Sequence, residues 1–237
     1  MDRNNVILHM KDISKSFGSV QVLFNVALSL HEGEVKGLIG ENGAGKSTLM
    51  KILTGEYQKD SGQISLFGEP VDVLTPGIAL QKGIAMVYQE LNNAQDMTIA
   101  ENMFIGREIK KYGWRDKKEM NRKTAEYLRA LDLSFSPEEK MRNLTVSEMQ
   151  MVEIAKVVSY GSRIIVLDEP TSSITQDGVE KLFQVVRKLK GMGIGIIYIS
   201  HKLEELFELT DSIVIMRDGH IVREDATGNL TQDELIR

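Results

Sequence analysis

The chain has 237 residues, 42% of them hydrophobic and 27% charged, with a formal net charge of −5 and no cysteine. That length suits one large domain, or a domain carrying a sub-domain, with a substantial core; disulfides and thiolate metal sites are excluded, and the acidic balance argues against a polyanion as main partner. No stretch approaches the roughly 18 apolar residues of a membrane span, and MDRNNVILHM lacks the apolar core of a signal peptide.

Val6 to Ser29 is rich in alternating residues, which predicts an antiparallel strand pair. Val35 to Ile39 is a short apolar run that predicts a strand, followed at once by GENGAGKST and the helical STLMKIL. A second strand is expected over Ile84 to Tyr88. Between Gln89 and Gly161 the strand signals disappear and helical patterns dominate, as in a helical sub-domain inserted between two strands. Within it Met151, Ile154, Ala155 and Val158 recur at helical spacing, so LTVSE before them is that helix's N-terminus. Strands follow at Ile164 to Leu167 and Gly195 to Ile199, with a helix over Gln176 to Lys190 whose Val179, Leu182, Phe183, Val186 and Leu189 share one face. The fold class is therefore α/β with a mostly parallel sheet and an N-terminal antiparallel β part. Residues 1–89 and 162–237 are expected to form the core and 90–161 the helical sub-domain. The sequence ends at LTQDELIR in a helical pattern without a stop signal, as expected for a piece of a longer chain.

GENGAGKST, Gly40 to Thr48, fits G-x-x-x-x-G-K-[ST] in the strand–loop–helix context of a phosphate-binding loop. Backbone N–H groups of Gly40, Glu41, Asn42, Gly43, Ala44 and Gly45 can turn inward around phosphates, with Lys46 as a mobile cation. The Ser47 hydroxyl can ligate Mg²⁺, and Thr48 continues into the helix. RIIVLDEPTSS ends an apolar strand in Asp168 and Glu169, where ligands bind beyond the carboxyl ends of strands. Asp168 there orients Mg²⁺, and Glu169 positions or deprotonates the attacking water. Gln89 and His201 each follow a strand, either as turn residues or in contact with phosphate and water. Phe17, in KSFG, either stacks on a purine or fills the core of the antiparallel part.

GENGAGKST, Gln89, LTVSEMQ, IIVLDEP, TSSIT and His201 stand in the order of the nucleotide-binding subunit of an ATP-binding cassette transporter, which the chain resembles over nearly its whole length. It is most similar to the N-terminal half of bacterial sugar-importer ATPases of the ribose, galactose and xylose type, through GENGAGKSTLMKILTG, YQELNNAQDMTIAENMFIGRE, QMVEIAK, DEPTSSIT and YISHKLEELFELTDSIVIMRDG. The resemblance implies a P-loop ATPase at the cytoplasmic face of the cell membrane with ATP and Mg²⁺ as ligands. It gives Glu169, His201 and Gln89 as catalytic groups, Ser47, Gln89 and Asp168 at the metal, and Phe17 with Gly40 to Thr48 at the nucleotide. It also implies a second nucleotide-binding domain as partner, membrane permease subunits and, indirectly, a periplasmic or extracellular sugar-binding protein, with no nucleic acid.

In that family each ATP lies between the phosphate loop of one domain and a Leu-Ser-Gly-Gly-Gln segment of the other, and LTVSE stands at that segment. Neither glycine remains here, and Glu148 replaces glutamine. Two overlapping capping boxes are expected, Thr145 with Glu148 and Ser147 with Gln150. A phosphate ~5 Å from Glu148 would be repelled by ~3 kcal/mol per charge pair at an effective dielectric of ~20, against ~0.3–1 kcal/mol from the helix dipole. The expectation is asymmetry: a competent phosphate loop and acids on one side, a weak signature segment on the other. Thr175 replaces an aspartate frequent at the domain contact, and ELNNAQDMTIAENMF lies where the family meets its permease. The run GREIKKYGWRDKKEMNRK is a solvated face, or else touches nucleic acid or lipid headgroups. A soluble relative acting on ribosomes or DNA, and a non-hydrolytic ATP-binding switch, stand as alternatives.

Overall fold

A computed structural model describes residues 5–231. The helix expected in LTQDELIR lies outside the described residues from position 232 onward. In chain order the elements begin with β1 (Val6–Phe17), β2 (Val20–His31), β3 (Val35–Ile39), α1 (Lys46–Leu53), β4 (Ser61–Leu66), β5 (Glu69–Val71), α2 (Pro76–Gln81) and β6 (Ile84–Val87). They continue with α3 (Ile99–Met103), β7 (Lys110–Lys111), β8 (Trp114–Arg115), α4 (Lys117–Ala130) and α5 (Val146–Val158). The last are β9 (Ile164–Asp168), α6 (Gln176–Gly191), β10 (Gly195–Ile199), α7 (Leu203–Leu209), β11 (Ser212–Arg217) and β12 (His220–Ala226). The chain divides into two compact units, one from segments 1–86, 162–169 and 189–237, the other from 87–161 and 170–188.

The first unit holds two sheets. One has the order β2-β1-β4-β5, with β1 antiparallel to both β2 and β4. Alternation in β1 and β2 sends Leu8, Met10, Ile13, Leu23, Val26, Leu28 and Leu30 into the core, as a sheet with one covered face requires. The other sheet has the order β12-β11-β3-β10-β9-β6. Its centre is parallel, β3 lying between β11 and β10, and β10 between β3 and β9. Every residue of β3 and β10 is buried, which explains why these strands read as unbroken apolar runs. The strands end where the sequence places them, to within a residue. β4, β5, β11 and β12 lie outside the sequence expectation. The hairpin joining β11 to β12 turns through Asp218 and Gly219, both at positive φ, and a Cβ on Gly219 would come within 2.2 Å of the Val22 carbonyl oxygen.

The second unit is mainly α3, α4, α5 and most of α6. Two details differ from the sequence reading. The pair β7–β8 is a hairpin inside a stretch expected to lack strands; two residues per strand are too few to leave an alternation signal. Segment 170–188 also falls with this unit rather than with the core. At the start of α6 a Cβ on Gly178 would lie 2.7 Å from Ser147 Cβ, so α6 packs closely on the first turn of α5.

Candidate functional site

The loop between β3 and α1 has no freedom to carry larger residues at its ends. A Cβ on Gly40 would lie 2.2 Å from the Met216 carbonyl oxygen. Gly45, at φ 99°, precedes α1 as its N-cap and makes no side-chain capping bond, which leaves the first-turn N–H groups of α1 to another acceptor. Gly43, at φ 88°, is surrounded by open space. Lys46 Nζ donates to the carbonyls of Gly40 (2.6 Å) and Glu41 (3.0 Å), so the ammonium lies over the loop. Burial pushes the Lys46 ammonium below its ordinary pKa, against the opposing pull of Glu169 and Asp168.

That pull places the two acids at the same loop. Asp168 closes β9, opposite Ile199 of β10. Burial raises its carboxyl above the usual range, and the neighbouring Glu169 carboxylate adds to this, while Lys46 and Lys51 act in the other direction. Glu169 has φ 43°, a conformation costly for a residue with a long side chain, and its N–H donates to the Ile199 carbonyl at 3.0 Å. The bond fixes the turn that brings Glu169 to the sheet's carboxyl edge. His201 Nδ1 stands 3.5 Å from Glu169 Oε1. The loop that carries His201 is braced from below. Buried Glu205 accepts from Tyr198 OH (2.9 Å) and Ser200 Oγ (3.0 Å), and Ser200 Oγ accepts from Lys202 N–H (3.1 Å). The sequence reading misses this brace, although Tyr198 in an apolar strand needs a polar partner for its hydroxyl.

Ser47 is exposed at the start of α1 and Asp168 is partly buried at the end of β9. Both are hard oxygen donors of the kind Mg²⁺ takes. The mutual repulsion of Asp168 and Glu169 is the feature that a divalent cation would relieve. Among the described residues there is no group of three or more His, Cys, Asp or Glu able to hold a metal ion alone.

Phe17 is 43% exposed, so it does not fill the core. Its ring meets Tyr57 edge-on at 5.2 Å, and Lys51 Nζ lies 5.3 Å from the Tyr57 centroid. Asp60 ties down the neighbouring strand end, accepting from Lys15 Nζ (2.7 Å) and Ser16 N–H (2.6 Å). Tyr57 is absent from the sequence reading.

Gln89 is exposed two residues beyond β6 and belongs to the second unit. So does LTVSE. Thr145 is the N-cap of α5 and forms a complete capping box with Glu148. Thr145 N–H donates to Glu148 Oε2 at 2.8 Å, Thr145 Oγ1 to the same oxygen at 2.9 Å, and Glu148 N–H to Thr145 Oγ1 at 3.3 Å. The second expected box does not form. Ser147 Oγ pairs with Thr145 Oγ1 at 3.2 Å, and Gln150 is buried with its Nε2 unpartnered, because α5 already begins at Val146 and puts Ser147 inside the helix. In the same unit Asn102 holds the loop after Gln89, accepting from Ala94 N–H and donating to the carbonyls of Ala94 and Thr98. A cavity of about 250 Å³ lies beside it, lined by Thr98, Ala100, Glu101, Lys117, Met120 and Glu138 among others.

A model of the ABC transporter family matches residues 23–172. The chain is 46% identical along its whole length to the galactose/methyl galactoside import ATP-binding protein of Clostridium perfringens, and covers 46% of that protein. It is 47% identical over 233 residues to a putative ribose/galactose/methyl galactoside import ATP-binding protein of Geobacillus kaustophilus, again covering 46% of it. The chain thus spans about half the length of the curated relatives it matches. Among solved structures, a nucleotide-free ATP-binding cassette from an ABC transporter superposes with a TM-score of 0.85 at 27% identity, covering 98% of this chain and 94% of that one. An ATP-binding cassette in its ADP conformation gives 0.84 at 28% identity, with 98% and 93% covered.

Proposed function

The chain belongs to the ABC transporter family, and from that premise we propose that it binds and hydrolyses Mg-ATP to energise import of a sugar through membrane permease subunits. The observation that carries the reading is the convergence of Lys46, Asp168, Glu169 and His201 on one glycine-bounded loop at the carboxyl edge of a parallel sheet. The open N-terminus of α1 and the loop N–H groups would donate to the phosphate oxygens, and Lys46 would exchange its carbonyl partners for them. Ser47 and Asp168 would hold Mg²⁺, and the ion would supply charge neutralisation on the phosphates. Glu169 orients the attacking water and takes its proton, and His201 acts beside it. Phe17, carried by Tyr57, offers a ring face to the adenine.

The sugar class comes from what the relatives are named for, and so does the place at the membrane. No described helix is long and apolar enough to cross a membrane, so the proposed attachment is peripheral, through permease subunits. The segment 90–104 is the proposed permease contact, with the cavity at Thr98 and Glu101 as its socket. A periplasmic or extracellular binding protein would deliver the sugar. We also infer that a second nucleotide domain, in the same polypeptide, completes the site. At the α5 N-terminus of this chain the Glu148 carboxylate accepts from Thr145 N–H and Oγ1, and its charge would oppose an incoming phosphate. This terminus therefore faces the weaker of two composite sites.

The test is Mg-ATP binding and turnover by this chain, with its mass in solution measured with and without ATP and Glu169→Gln as control. Binding without dimerisation, and turnover that appears only on adding the partner domain and vanishes in Glu169→Gln, is the expected result. An ATP-dependent homodimer that hydrolyses through Glu169 would overturn the asymmetry, and failure to bind Mg-ATP would overturn the whole reading.

A further inference from the structure

The hairpin β7–β8 belongs to no part of the ATP chemistry, yet it concentrates two unusual features. In KKYGWRDKK, Lys110 to Lys118, five of nine residues are cationic and one is acidic, within a chain of net charge −5. The single acid, Asp116, is engaged locally: its Oδ1 accepts from Glu119 N–H at 3.0 Å as the N-cap of α4. Lys117 stands 3.5 Å from Glu101. Among the described residues Lys110, Lys111, Arg115 and Lys118 have no carboxylate within salt-bridge distance. The second feature is aromatic exposure, with Tyr112 92% and Trp114 82% open to solvent. They are among the most exposed large hydrophobic side chains, and Trp114 is the only tryptophan.

The geometry presents these groups deliberately. Lys110 pairs with Arg115 and Lys111 with Trp114, and the ladder is closed by Asp116 N–H donating to the Ile109 carbonyl at 2.8 Å. The turn uses Tyr112 at φ 51° and Gly113 at φ 85°, the two positive angles of a type I′ turn. Asn or Gly serves that first position without strain, whereas a tyrosine there is held in a disfavoured conformation and gains no burial in return. Lys111 Nζ lies 5.9 Å from the Tyr112 ring, so cation and ring share the tip. Amphipathic rings flanked by lysine and arginine are what a bilayer interface takes: rings at headgroup depth, cations against anionic lipid.

We propose that the β7–β8 hairpin docks onto an anionic lipid bilayer, inserting Tyr112 and Trp114 at headgroup level while Lys110, Lys111, Arg115 and Lys118 face the lipid phosphates. A bilayer is favoured over a nucleic acid because the cations and rings sit around one short hairpin rather than along a groove. The contact is separate from ATP binding and from any permease subunit, so it stands or falls independently of the proposed transport role.

The sole tryptophan makes the test direct. The full chain is titrated with vesicles of phosphatidylcholine alone and with 30–40% phosphatidylglycerol, following Trp114 emission and cosedimentation at about 0.05 and 0.5 M salt. The expected result is a blue shift and sedimentation with anionic vesicles only, lost at high salt. Lys110→Gln/Lys111→Gln/Arg115→Gln should weaken partitioning by about a hundredfold, at roughly fivefold per cation removed. Tyr112→Ser, which leaves the charges and Trp114 in place, should weaken cosedimentation and reduce the shift. Both variants should bind Mg-ATP as the parent does, which also reports that they fold. An unchanged Trp114 spectrum with every vesicle overturns the proposal. So does an equal response to a short single-stranded DNA at the same ionic strength, or a triple variant that still sediments.

Discussion

Opening the capping box at the start of α5 tests whether that helix terminus is closed. Thr145→Ala removes the Oγ1 acceptor of Glu148 N–H, a loss of about 1 kcal/mol for a helix N-cap. Glu148→Ala removes the acceptor of Thr145 N–H together with a negative charge in the first turn, again about 1 kcal/mol, of which the charge supplies ~0.3–1. Glu148→Gln keeps an acceptor and loses only the charge, so about 0.5 kcal/mol is expected. Because Thr145 Oγ1 and Glu148 Oε2 also bond each other at 2.9 Å, the two residues share one interaction. The double variant should then cost about 1.5 kcal/mol rather than 2. In a chain of this size 1 kcal/mol moves the thermal midpoint by about 2–4 °C. Hydrogen exchange at the amides of Glu148 and Met149 supplies the local reading, since two units need not unfold together. Single variants with unchanged midpoints and unchanged exchange, or a strictly additive pair, would mean the box does not hold in solution. The case for a self-satisfied α5 terminus would then fail.

Glu169→Gln should leave Mg-ATP binding within about threefold while turnover of the assembled site falls ~10²–10⁴-fold, the usual contribution of a positioned base; equilibrium binding and phosphate release measure the two. Gly40→Ala drives a Cβ to 2.2 Å from the Met216 backbone oxygen and should cost more than about 2 kcal/mol by urea unfolding, with loss of nucleotide binding. Gly77→Ala, in α2 with open space around it, should instead be neutral or stabilise by ~0.4–1 kcal/mol. At Glu34 burial raises the pKa, but Lys36 first, then the bonds from Ser212 and His31, outweigh it and hold the carboxyl below its ordinary value. A carboxyl with a depressed folded pKa stabilises above its unfolded pKa, and that stability is lost as pH falls through the folded value. Glu34→Gln should therefore lower stability at neutral pH by about 2 kcal/mol and flatten the acid limb below pH ~4.5; parallel acid limbs for variant and parent would refute this.

What the sequence makes legible follows burial. β3, β9 and β10 are central strands covered on both faces, and β6 is an edge strand that is nonetheless mostly buried, so their apolar runs are unmistakable. The phosphate loop and Asp168–Glu169 are legible because each immediately follows such a strand. More exposed strands carry weaker marks: β12 alternates exposed and half-buried residues, and β7–β8 has no buried residue at all. Tyr57 and the Glu205 brace are invisible for another reason. Their roles depend on partners distant in sequence or on a different element, Phe17 in the first case and the Tyr198–Ser200 turn in the second. Capping is intermediate. Two boxes fit LTVSEMQ equally well by spacing, and only the register of the first helical residue, Val146, chooses between them.

The places where the chain departs from local preference separate into two kinds, and the distinction assigns them. At the phosphate loop the departures have internal causes: Lys46 lies on carbonyls, Asp168 repels Glu169, and Glu169 is held at positive φ by a bond to Ile199. The first two are imbalances that the proposed triphosphate and its cation would relieve. The α5 terminus is the reverse case, since Thr145 N–H and Glu148 N–H are matched within the capping box and the Glu148 carboxylate would oppose an added phosphate. Tyr112 is the third case. Among the described residues its strain is matched by no burial, and Lys110, Lys111, Arg115 and Lys118 beside it have no carboxylate within salt-bridge distance. A cost left unbalanced inside the molecule at an exposed, charged tip points to a contact outside it, and a surface of fixed negative charge with an apolar layer beneath it answers both the rings and the lysines.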